Sequence, residues 1–130
     1  MNAHISARIA STILYLVIGF QLLVVAGAPL GRFTQGGQTP GTLSVGGRVF
    51  AFVSAALLFL MAMSLQALVQ NGPLTKLRMQ TIRRIVWITT IYSTIGTAMN
   101  AISRSAVERP WAIVTAFVAF FSYRALKLTK

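Results

Sequence analysis

The sequence predicts an all-α membrane protein, a bundle of four transmembrane helices with both termini cytoplasmic. Three observations carry this reading. Of 130 residues, 55% are hydrophobic and only 10% charged, against about 25% charged in an ordinary soluble domain. The mean hydropathy is +0.72. Four uncharged stretches, 9–31, 49–75, 85–103 and 110–123, are separated by segments that hold the Lys and Arg residues. A soluble chain of this size needs far more polar surface, so the whole chain reads as one integral membrane domain.

A hydrocarbon core about 30 Å thick takes roughly 20 helical residues. The first three stretches meet that length. The fourth is shorter, but Arg109 and Arg124 can snorkel, and Ala125 and Leu126 extend it. The expected helices are 8–28, 47–70, 82–103 and 109–127, with a glycine-rich outer loop at 29–47. The first stretch has the look of a signal peptide, with Ala26-Gly27-Ala28 at its end. Its length, and a proline at the first position after cleavage, favour a retained helix.

Orientation follows the distribution of basic residues in short loops. Arg8, Lys76, Arg78, Arg83, Arg84, Arg124, Lys127 and Lys130 fall on the side of the termini. Arg32, Arg48, Arg104 and Arg109 fall on the other. The heavier side is expected in the cytoplasm of a bacterial cell, facing the anionic headgroups of the inner membrane. The net charge of +11 is therefore read as topology and lipid attraction, not as nucleic-acid binding.

Helices in lipid associate through small residues and hydroxyls. On the third helix Thr89, Ser93, Gly96, Thr97, Asn100 and Ser103 share one face, and Ile88, Ile91, Tyr92, Ile95, Met99 and Ile102 the opposite one. The polar face is expected to point inward, with Thr89, Ser93, Thr97 and Asn100 as an intramembrane polar surface. Weaker inward stripes are Ala51, Ala55, Ala62 and Gln66 on the second helix, and Ala112, Ala116, Ala119 and Tyr123 on the fourth. Tyr15, Gly19 and Ala26 mark the first, and Gln21 and Gln66 are expected to face the bundle or a partner.

The inventory excludes most chemistry. There is no cysteine, one histidine (His4, in the N-terminal tail) and one acidic residue, Glu108. Thiolate metal sites, paired-carboxylate catalysis and a histidine triad all need more than this. No cofactor or metal site is expected, and the chain is read as not an enzyme. Glu108, between Arg104 and Arg109, is expected to form an ion pair tying its loop to the fourth helix.

The outer loop is unusually rich in glycine. Gln35-Gly36-Gly37-Gln38 is expected to close a small hairpin, and Pro40-Gly41 suits a type II turn. Phe33, Leu43 and Val45 argue for an ordered loop. Arg32, Gly36, Gly37, Pro40, Gly41, Glu108 and Trp111 are the candidate outer interaction surface.

Two motifs here resemble those of a widespread family of small uncharacterised bacterial membrane proteins with four helices. Gly27-Ala28-Pro29, Gly31, Gly36-Gly37 and Pro40-Gly41-x-Leu43 match a loop of the form GAPxGxxxxGGxxPGxLP. Asn100, Ser103, Ser105, Glu108 and Trp111 are similar to its N-x-x-T-P-S-x-x-E…W motif. Ser44 and Arg104 stand where the family has prolines, and Trp111 follows Glu108 by three positions instead of four. The resemblance implies the fold and a role for the outer loops, and it brings no activity with it.

The expected function is a non-catalytic accessory or interaction subunit of a membrane complex. The alternatives are a small-solute transporter acting as a homo-oligomer and a lipid-binding membrane protein.

Overall fold

The computed structural model describes residues 1–129; Lys130, counted above with the cytoplasmic charges, lies outside them. Four helices account for most of the chain: α1 (Ala3–Val25), α2 (Val45–Leu68), α3 (Met79–Ala101) and α4 (Trp111–Leu128). Short 3₁₀ turns at Gly31–Phe33 and Pro73–Lys76 interrupt the first two connections, and no strand occurs among the described residues.

Local chemistry sets the helix ends. The Asn2 side chain accepts the amide of Ile5 and opens α1 before the apolar run begins. Ser44 does the same for α2 through the amide of Gly47. Gly27 at φ +97 ends the passage out of α1. Gln70 and Gly72, at φ +57 and +90, turn the chain after α2 into Pro73. All four helices lie within a few residues of expectation, since hydropathy marks a span and capping marks a helix.

Three helices, α1, α2 and α4, are long and apolar enough to cross a membrane. This reverses the expected order, in which the fourth stretch was the weak one. α4 runs through Arg124 to Leu128 and so reaches 18 residues. α3 has 23 residues, about 34 Å at 1.5 Å each, but Arg83, Arg84 and its hydroxyl face lower its apolarity.

The helices form a ring in which α1 packs on α2 and α4, and α3 packs on α4 and, more sparsely, on α2. The main core lies at the end that carries both termini. There Ala7, Ala10, Leu65, Leu68, Ile82 and Leu126 are almost fully buried. These come from the starts of α1 and α3 and the ends of α2 and α4, so neighbouring helices are antiparallel. Alanines and serines let the backbones approach: Ser6, Ser64 and Ser122 are completely buried. Arg83 donates to the carbonyls of Thr129 and Leu126, closing the C-terminal end of α4.

The inward stripes are partly as expected. Thr89 and Ser93 are buried, while Ile88, Ile91, Ile95, Met99 and Ile102 are exposed. Ala51, Ala55 and Ala62 are buried too. The stripes on α4 and α1 are different. α4 buries Val118, Ser122, Ala125 and Leu126, leaving Ala116 and Tyr123 exposed. α1 buries Ser6, Ala7, Ala10, Ser11 and Leu14, and Gly19 is exposed with open space around it. Small residues occur on more than one face of these two helices, so the stripe alone did not select the buried one.

Candidate functional site

The opposite end of the ring is built differently. The connection between α1 and α2 folds over it as a cap. The hairpin expected over 35–38 does not form: the chain instead makes a tight turn one residue earlier, centred on Gln35 and Gly36 and closed by the amide of Gly37 donating to the Thr34 carbonyl at 3.0 Å, with no flanking strands. Both central residues have positive φ, +52 and +88, the type I′ pattern. The amide of Gly31 donates to Gly41 at 2.8 Å and pins the loop on itself. Gly41 has φ +94, as the third position of a type II turn requires.

The cap is fastened to the α3–α4 connection at three points. The Gly36 amide donates to Oε1 of Glu108 at 2.8 Å. The indole Nε1 of Trp111 donates to the Phe33 carbonyl at 2.8 Å. Gly37, at φ +65, lies so close to Ser105 that a Cβ would sit 2.5 Å from its Oγ. Glu108 is 7% exposed, and its Oε2 accepts the Ser103 hydroxyl at 3.0 Å. The expected ion pair is thus replaced by hydrogen bonds from neutral donors: Arg109 turns its Nε to the Ser103 carbonyl at 3.1 Å. The carboxylate still does the tying, but to the glycine loop.

Arg48 reaches from α2 to the Val25 carbonyl at 2.8 Å, and Thr42 to that of Gly27 at 2.9 Å. The orphan carbonyls at the end of α1 thereby gain donors. The rings of Phe20 and Trp111 lie 4.9 Å apart and join α1 to α4 beneath the cap.

Under this lid the ring forms a partly open cavity of about 230 Å³. Its roof is formed by Phe33, Thr34, Gln35 and Glu108, and its floor by Leu14, Leu58 and Val118. Gln21, Ser54, Ser93, Asn100 and Thr115 line its walls. Gln21 fulfils the expectation that it faces the interior, and its Oε1 is buried with no hydrogen-bond partner.

The candidate residues therefore divide. Gly36, Gly37, Glu108 and Trp111 come together in the cap. Gly41 shapes it, while Arg32 and Pro40 stand exposed on its surface. Ser93 and Asn100 face the cavity. Thr97 bonds across to Thr115 at 3.0 Å, and Thr89 bonds back to Ile85 within its own helix. The four polar residues of α3 consequently do not form a continuous path. Sequence reasoning missed Phe20, Gln35, Ser54 and Thr115. Thr115 was findable as the hydroxyl opposite Thr97, and Gln35 was read only as a turn residue; Phe20 and Ser54 carry no local signal.

Protein-family models, curated proteins and solved structures give no match to this chain.

Proposed function

We propose that the chain is a four-span protein of the bacterial inner membrane, with both termini cytoplasmic and the cap outside. α3 is the fourth span, its hydroxyl face turned to α4 and its isoleucine face to lipid. We further propose that it is a non-catalytic interaction subunit whose ordered cap is the surface read by a membrane-protein partner or a second copy.

One observation carries the reading. The sole acidic side chain of the described residues holds the cap with both its oxygens, through Gly36 and Ser103. A chain using its one carboxylate as a clamp uses it for shape, and shape is what a partner recognises. The clamp also leaves Arg32, Arg104 and Arg109 exposed around the cap. A partner with an acidic or carbonyl-rich outer loop fits this rim. At the other end, Arg8, Lys76, Arg84 and Lys127 are exposed toward the cytoplasmic headgroups.

The test is extraction of the native membrane into lipid nanodiscs, followed by mass spectrometry of what accompanies the chain. A stoichiometric second protein or a defined oligomer is expected, and it is lost when Gly37→Val breaks the cap. A monomer without protein partner in the wild type would end this reading.

A further inference from the structure

The cavity goes beyond a partner surface. A simple contact module gains nothing from an internal hollow, and a void with a buried unpartnered amide oxygen destabilises the bundle. The hollow is graded along its axis. At the roof stand Glu108 and Gln35; on the floor are Leu14, Leu58 and Val118. It also has an open side. Among the lining residues of the helices, Phe50 and Tyr92 are the ones more than half exposed, at 62% and 53%. They belong to α2 and α3. At this end hydrogen bonds join α1 to α2 (Arg48 to Val25) and α3 to α4 (Thr97 to Thr115). Among the described residues no side-chain hydrogen bond joins α2 to α3. The gap between these two helices opens sideways, toward lipid in a membrane-embedded chain.

The polar end is rich in acceptors. Glu108 receives one neutral donor on each oxygen, and a carboxylate offers about four lone-pair sites. About half its capacity is free, in a place shielded from water. The Oε1 of Gln21 is an acceptor with no donor at all. A buried carboxylate held only by neutral donors is best completed by a cation that also donates hydrogen bonds.

We infer that the cavity binds a primary alkylamine-type amphiphile, its ammonium head under the cap at Glu108 and Gln21 and its short tail on the Leu14–Leu58–Val118 floor, entering from the bilayer between α2 and α3. At about 30 Å³ per small group, 230 Å³ takes a head and a tail of several methylenes. Longer tails extend through the gap into lipid.

Trp111 lines the cavity and Trp87 does not, so a Trp87→Phe protein reports on the site through Trp111 alone. In phosphatidylcholine nanodiscs this protein is titrated with ω-bromohexylamine, ω-bromohexanol and ω-bromohexanoate, whose bromine quenches indole fluorescence. The amine is expected to quench saturably, at a concentration about tenfold below any saturation by the other two, a difference of about 1.4 kcal/mol. Glu108→Gln keeps an oxygen for the Gly36 amide and is expected to raise the amine's half-saturation about tenfold. Gln21→Leu, which removes none of the cap's hydrogen bonds, is expected to weaken the amine severalfold while raising thermal stability. That opposition separates a ligand role from a structural one, and it decides the matter if the Glu108 variant fails to fold. Equal quenching by the three heads, quenching that only follows partition into lipid, or indifference to Gln21→Leu would overturn the assignment.

Discussion

Glu108 accepts the amide hydrogen of Gly36 at 2.8 Å, a contact between residues 72 positions apart. It joins the turn of the α1–α2 connection to the α3–α4 connection. The two helical hairpins are thereby fastened at the end where the apolar core is thinnest. Removing the acceptor is expected to leave the Gly36 amide without a partner and the Ser103 hydroxyl without an acceptor for its proton, though Ser103 still accepts the Ser105 amide. Glu108→Ala should cost about 1–3 kcal/mol, read as a fall in thermal midpoint in detergent. Glu108→Gln should cost less, because one amide oxygen can still accept from Gly36. Equal losses for both variants would show that the hydrogen bond to Gly36 is not what holds the cap.

Glycines of the cap differ in a way that mutation can read. Gly41 has φ +94 with open space where a Cβ would go. Gly37 has φ +65, and its Cβ would meet Ser105 Oγ at 2.5 Å and the Arg32 carbonyl at 2.9 Å. Gly41→Ala should therefore carry only the conformational penalty, about 1–2 kcal/mol. Gly37→Ala should carry that and a clash, so its loss of stability should be clearly larger. Ser105→Gly should restore part of it and not all, because the Arg32 carbonyl remains. Chemical unfolding of the four proteins, the wild type included, in one detergent checks the ranking.

Much of this was legible in the sequence, for physical reasons. Isoleucines and hydroxyls alternate on α3 with a helical period, so its two faces are legible from the sequence alone. Gly36 and Gly37 announced positive φ because no other residue adopts it freely. What could not be read was pairing at a distance. That Glu108 would choose a backbone amide over Arg104 or Arg109 depends on where the loop lands. The inward faces of α1 and α4 were misread because alanine and glycine there lie on several faces at once. The cavity was invisible for a similar reason: Phe20, Gln35 and Ser54 come from different elements and share no local pattern.

The α3–α4 contact rests on close approach as well as a hydrogen bond. Thr97 donates to its own helix or to Thr115, and a Cβ at Gly96 would lie 3.4 Å from Thr115 Cγ2. Thr97→Val is expected to cost about 0.6 kcal/mol, the average for such contacts within membranes. Gly96→Leu should cost several times more, since its branches must push Thr115 and α4 away. Stability measured by steric trapping or denaturant in bicelles distinguishes them. A larger effect for Thr97→Val than for Gly96→Leu would place the energy in the hydrogen bond instead.

Topology is the remaining expectation that a direct experiment decides. The chain contains no cysteine, so single cysteines can be introduced without removing any. Gln38 and Thr75 are exposed in the first and second connections. If α2 crosses the membrane and the cap is outside, Gln38→Cys should react with a membrane-impermeant maleimide in intact spheroplasts, and Thr75→Cys only after lysis. α3 is the discriminating case, because Arg83 and Arg84 near its start and its threonines make it the least apolar helix. Arg104→Cys, beyond its end, should label like Gln38→Cys if α3 spans. Its packing supports spanning: Arg83 reaches the end of α4 while Thr97 meets Thr115 at the other end. Labelling of Arg104→Cys from the same side as Thr75→Cys would mean that α3 does not cross, and the four-span reading would fall.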